Sequence, residues 1–182
     1  LYLLTLLLTP KYVNDIPEGS MIAEYYKSEK NNDVLILGDC EVYENISTVK
    51  MWEEYGITSY IRGSSEQLIW QSYYLLEDTL KHETPKVVVL SMLAMSEADA
   101  KSEAYNRMTL DGMRWSKSKW NSIKESMTEK ETMGSYIFPL LRYHSRWSEL
   151  SSDDIKYMFN KPKVTSNGYL MPVSYTHLTL PT

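Results

Sequence analysis

The chain has 182 residues, 43% apolar and 24% charged, with a formal net charge of −5. That composition excludes a disordered tail and leaves room for one domain with a core of its own. No window gathers the Lys and Arg of a nucleic-acid-binding surface, and the single cysteine, Cys40, excludes an intrachain disulfide.

Leu1 to Thr9 is almost purely apolar and stops at Pro10-Lys11. The run is shorter than the about 20 residues that cross a bilayer. Without a polar face it reads as the last turns of a transmembrane or signal-anchor helix, the alternative being a buried strand at the domain edge. Residues 1–10 are therefore expected to end an anchor. Residues 11–30, which hold Pro17 and Gly19, are expected to be a polar linker leading into a short helix.

Asp33 to Leu37 is a continuous apolar run closed by Gly38, as in a strand buried on both faces of a parallel sheet. Asn45 to Tyr55 follows as a helix ended by Gly56, the residue that most easily takes a left-handed cap. Ile57 to Ile61, rich in β-branched and aromatic residues and followed by Gly63, reads as a second strand.

From Glu66 to His82 the positions Ile69, Tyr73, Leu76 and Leu80 recur at helical spacing. They predict an apolar face opposite Gln71, Glu77, Asp78 and Lys81. Pro85 stops this helix, and Lys86 to Ser91 is the third buried strand. Strand, helix, strand, helix, strand at this pace predicts a βαβ-built parallel sheet, whose ligands sit at the carboxyl ends of the strands. Three segments occupy those ends: Gly38 to Glu41, Arg62 to Ser65 and Ser91 to Ala94.

Beyond Ser96 the pattern turns to polar helical stretches, Glu97 to Arg107 and Lys117 to Met127. Ser151 and Asp154 then have the spacing of a helix cap. Residues 96–172 are expected to form a helical insertion or lid within a domain spanning 31–172. Val173 to Thr182 resembles the translation of a sequencing-library adapter. It is set aside with its His177, and the natural reading frame is expected to depart near Met171 or Pro172.

A strand running into Gly38-Asp39-Cys40, a helix, and a second strand running into Arg62-Gly63-Ser64 resemble the first two sequence blocks of the SGNH/GDSL hydrolases. With Trp52 to Gly56 and Pro85 to Leu90, the likeness is to their membrane-anchored, cell-wall-modifying branch, related to the D-alanyl transfer protein of teichoic-acid modification. It covers about Asp33 to Leu90. The resemblance implies a flavodoxin-like, three-layer α/β fold, incomplete here, with an extracytoplasmic domain on a single-pass anchor. It also implies ester hydrolysis or acyl transfer on a cell-wall polysaccharide or teichoic-acid-like polymer.

Carried over by residue, Cys40 takes the nucleophile's place, where the family has Ser. Gly63 and the N–H of Cys40 become oxyanion donors, and Asn106 is the nearest candidate for the family's third-block Asn, which Ser91 to Ala100 lacks. A thiol at a helix N-terminus should have its thiolate favoured. The family's Asp, x, x, His is absent; His82 and His144 stand elsewhere, the latter among Arg142, Arg146 and Trp147 in a setting that suits an anionic polymer.

Bland readings stand beside these: a small buried residue at a strand end for Cys40, local packing or capping for Asn106, and a structural role for His144. No metal-ligand spacing, Gly-x-Gly-x-x-Gly or P-loop occurs, so no cofactor is expected. Two other classes remain open. One is a non-catalytic, membrane-tethered binding or scaffold protein that uses its 15 Tyr and 5 Trp. The second is a flavodoxin-like domain unrelated to hydrolases. A receiver domain around Asp39 and Glu41 would need a Lys at the end of a late strand and has no place for a membrane anchor.

Overall fold

The computed structural model describes residues 2–10, 21–95, 102–159 and 163–170. Part of the expected linker (11–20), the start of the expected insertion (96–101), residues 160–162 and the adapter-like segment with His177 (171–182) lie outside the described residues.

Three strands form one all-parallel sheet: β1 (Val34–Gly38), β2 (Ser59–Gly63) and β3 (Val87–Leu90), in the order β2-β1-β3. Register runs from Val34↔Ser59 to Gly38↔Gly63 on one side of β1 and from Val34↔Val87 to Leu37↔Leu90 on the other. The chain therefore leaves β1 in one direction for β2 and returns past it for β3. This is the α/β sheet that the apolar runs predict.

Helices cover both faces. Leu35 and Leu37 pack with Leu75 of α5 (Ile69–Thr79), Leu110 of α6 (Glu103–Leu110), Ile123 of α7 (Lys117–Ser126) and Tyr136 of α8 (Met133–Ile137). Ile36 and Ile61 pack with Met21 of α2 (Met21–Glu24) and with Val42 and Tyr43 of α3 (Cys40–Asn45). The helices after β3 thus share one core with β1 and α5.

Three expectations need correction. The helix predicted over Asn45 to Tyr55 starts later, as α4 (Thr48–Tyr55), which Ser47 caps by accepting from the Lys50 N–H (3.2 Å) and which Gly56 closes at φ 65° as expected; Asn45 instead ends the separate α3. The face predicted for α5 is rotated, although Leu76 still packs on the core and Lys81 is still exposed. Tyr73 and Leu80 are exposed, whereas Gln71, Ser72, Tyr74, Leu75 and Asp78 are buried, because Gln71 and Asp78 find polar partners inside.

The third correction concerns β3, which is not buried. Val87 to Leu90 are 38–52% exposed, and no strand among the described residues pairs with its outer edge. An apolar run fits burial on both faces but does not itself supply the cover.

The other edge of the sheet is occupied by the turn 163–170. Asn167 O accepts from the Ile61 N–H (2.9 Å), and the Leu170 N–H donates to Tyr43 O (2.9 Å). The Glu24 carboxylate accepts from the Val164 and Thr165 N–H groups. Gly168 sits at φ +82°, and a Cβ there would lie 1.9 Å from Ile61 O. Gly168→Ala should cost about 1–2 kcal/mol through the left-handed backbone alone. It should also lift the turn from β2, seen as lost hydrogen-exchange protection of the Ile61 amide.

The N-terminal run forms α1 (Tyr2–Leu8), which packs on α9 (Leu140–Tyr143) and α10 (Ser152–Phe159). Leu8 is buried and its carbonyl accepts from Arg146 Nη1 (2.8 Å), while Tyr2 and Leu3 are exposed. Among the described residues no helix is long and apolar enough to cross a membrane. Ser151 does cap α10: its Oγ accepts from the Asp153 N–H (3.2 Å) and its N–H donates to Asp154 (3.0 Å).

Candidate active site at the strand ends

The carboxyl ends of the three strands converge tightly. A Cβ on Gly38, whose φ is +154°, would lie 2.5 Å from Ser91 Cβ. One on Gly63 would lie 2.8 Å from Gly38 O and 3.1 Å from Tyr43 Cδ1. The Ser64 N–H donates to Gly38 O (3.3 Å) and the Ser91 N–H to Leu37 O (2.9 Å). Glycine at 38 and 63 is thus what allows three backbones to meet at one point.

Cys40 opens α3 directly after this turn, with Asp39 as cap accepting from the Glu41 N–H (3.2 Å). The half-buried sulfur lies against its own N–H and that of Glu41. Burial pushes the thiol up from its ordinary value, the carboxylates of Asp39 and Glu44 push it further, and the two N–H groups oppose them. The thiolate favoured by a helix terminus is therefore not what this turn provides. Burial, with the acids at and within this six-residue helix, outweighs the N–H groups at its start.

Asn106 stands in a buried network. Its Nδ2 donates to Ser126 O (2.6 Å) and Glu131 Oε2 (3.1 Å), and its Oδ1 accepts from Gln71 Nε2 (3.2 Å). It reaches the strand ends only through others: Thr109 Oγ1 donates to Gln71 Oε1 (3.2 Å) and makes a short bond to the buried Ser64 hydroxyl. The sequence places Ser64 at the end of the second block without a role, and Gln71 on the face expected to be solvated, so this network is not legible there.

The histidines are elsewhere. His82 packs against Tyr25 and Tyr26, and exposed His144 has its Nδ1 3.2 Å from Leu141 O. Arg142 and Arg146, expected to flank a site for an anionic polymer, form ion pairs with Glu103 and with Asp154 and Glu149. Among the described residues no group of three or more His, Cys, Asp or Glu could hold a metal ion.

No protein-family model, curated protein or solved structure matches this chain. The site therefore has to be read from its own chemistry. The Cys40 thiol stands on a strand-to-helix turn beside backbone N–H groups, at the point where the sheet's winding reverses.

Proposed function

We propose that this chain carries the nucleophile of an SGNH-type enzyme that cleaves or transfers an acyl group on a cell-surface polysaccharide or teichoic-acid-like polymer. The observation that supports the reading is that Cys40 opens α3 two residues after Gly38, where the carboxyl ends of β1, β2 and β3 converge. The order β2-β1-β3 is the opening of the flavodoxin-like order 2-1-3-4-5, whose ligand crevice lies at the β1/β3 switch point. Gly38 to Cys40 and Ser91 flank that crevice.

In this reading the Cys40 sulfur attacks the ester carbonyl and an S–C bond forms as the C–O bond to the polymer breaks. The thiol proton leaves with the polymer hydroxyl, and water or a second hydroxyl then takes the acyl group from the thioester. The proton acceptor and the family's Asp and His are not among the described residues. Exposed Tyr2 and Leu3 at the start of α1 suit the end of a membrane anchor with the domain on the outer side.

The test is acyl release from an O-acylated polysaccharide. Cys40→Ala should abolish it and Cys40→Ser retain it; release unchanged in Cys40→Ala would sink the reading. The raised thiol and its acidic neighbours favour a second reading, a non-catalytic polymer-binding member of the same fold. It predicts no release by the parent protein together with saturable polymer binding.

A further inference from the structure

A second cavity lies away from the strand ends, between α1, the turn after α6, α7 and the α8–α9 connection. Its volume is about 440 Å³, within the range of small-molecule sites. Aromatic side chains form much of its wall: Trp115 and Phe138, both largely exposed, Tyr2 at the mouth and buried Tyr136.

Two charged residues also line it, Lys119 and Asp111. Asp111 is already engaged, accepting from Arg107 Nη1 (3.3 Å) and from the Tyr143 hydroxyl (3.3 Å). Lys119 is not. It is 5% exposed, its Nζ donates to Met113 O (2.9 Å) and stands 4.7 Å from the Trp115 ring centre, and no carboxylate among the described residues lies within ion-pair distance.

The neighbouring charges balance without it. Arg107 pairs with both Glu103 and Asp111, and Arg142 with Glu103. A buried ammonium with one hydrogen bond, whose nearest counter-charge, Asp111, lies beyond ion-pair distance and is engaged by Arg107, is costly, and an anion delivered to it from the cavity would relieve that cost. The aromatic walls favour an apolar body on the anion.

We infer that this cavity is a binding site for a small aromatic or aliphatic carboxylate, whose carboxyl group pairs with Lys119 and whose apolar body lies against Trp115 and Phe138. The site uses no residue of the Cys40 turn and stands or falls separately from the acyl-transfer reading.

Its pH dependence follows from the groups facing Lys119. Burial lowers the amine to about 8, Asp111 opposes that shift and Arg107 adds to it. Glu77 of α5 and Glu131 before α8 are turned to Ser118 and Tyr136 instead. The amine carries its charge below about pH 8, so carboxylate affinity should be full at lower pH and fall as pH rises through that value.

The test is calorimetric titration of the full chain with 2-naphthoate, its neutral amide and 2-naphthylmethylamine. Naphthoate should bind at one saturable site per chain, about 10- to 100-fold more tightly than the amide, as a charge-assisted hydrogen bond implies. Lys119→Met should bring naphthoate down to the amide's affinity. Phe138→Ala, an exposed wall position outside the core, should weaken both ligands and guards against misfolding of the lysine variant. Cys40→Ala should change neither. Equal binding of the amide or the amine, indifference to Lys119→Met, or no binding at millimolar naphthoate would overturn the inference.

Discussion

Asp78→Ala should lower the unfolding free energy by about 3–5 kcal/mol, the largest effect expected of any single substitution in this chain. Arg62 leaves β2 and is 0% exposed. Its Nη1 donates to Leu75 O (3.0 Å), Asp78 Oδ2 (3.1 Å) and Thr79 Oγ1 (2.8 Å), its Nη2 donates to the Tyr26 hydroxyl (3.1 Å), and Tyr25 stacks 4.2 Å from the guanidinium. Among the described residues Asp78 is the one carboxylate within ion-pair distance of Arg62, and it also accepts from the Tyr26 hydroxyl (2.5 Å).

Removing Asp78 leaves a guanidinium in a dry interior that no longer holds its counter-charge. Removing both charges does not. Arg62→Met combined with Asp78→Leu should recover most of the loss, because the pair's attraction is largely offset by the water both groups gave up and because Arg62 Nε already lacks a partner. Urea unfolding followed by tryptophan fluorescence reads both variants. A single variant within 1 kcal/mol of the parent, taking about 3 kcal/mol as the smallest expected loss, would show that Arg62 finds solvent in the folded state.

The same pair explains where sequence reading succeeded and where it stopped. β1 and β3 are legible as apolar runs and β2 by its β-branched and aromatic residues, and the nearness of Gly38 and Gly63 follows once β1 and β2 pair in parallel. The orientation of α5 was not legible. Its apolar stripe, Ile69, Tyr73, Leu76 and Leu80, is sound as a pattern. The helix is nonetheless turned by Gln71 and Asp78, whose partners Arg62, Asn106, Thr109 and Ser126 come from three other parts of the sequence. Apolar periodicity cannot register a polar side chain that is buried because something far along the chain satisfies it.

The exposure of β3 was hidden for the opposite reason, since Val87 to Leu90 declare that both faces can be covered but not by what. At the site, the turn was legible and its electrostatics were not. A helix N-terminus favours a thiolate, and burial first, then the carboxylates of Asp39 and Glu44, disfavour it; neither the burial nor the placement of the acids shows in the sequence. Lys119 lies in a stretch whose sequence reads only as polar and helical; the Met113 carbonyl, Trp115 and the cavity walls that surround it come from the fold.

Asn106 offers the test that separates an architectural role from a chemical one. Asn106→Ala should cost about 2–4 kcal/mol, because it removes hydrogen bonds to Gln71, Ser126 and Glu131 and leaves buried partners unsatisfied, each at about 1–3 kcal/mol without full additivity. Ser126 O and Glu131 would lose a donor together, and the Glu131 carboxylate also accepts from the Thr128 N–H (2.7 Å) and the Tyr136 hydroxyl, so the connection from α7 into α8 should loosen with them. An oxyanion donor behaves differently: its loss costs about 100- to 1000-fold in rate with stability nearly intact. Chemical unfolding of Asn106→Ala, set beside acyl release by the same variant, distinguishes the two. A stable variant with a collapsed rate would move Asn106 into the site, and a destabilised one whose folded fraction still turns over would keep it in the scaffold.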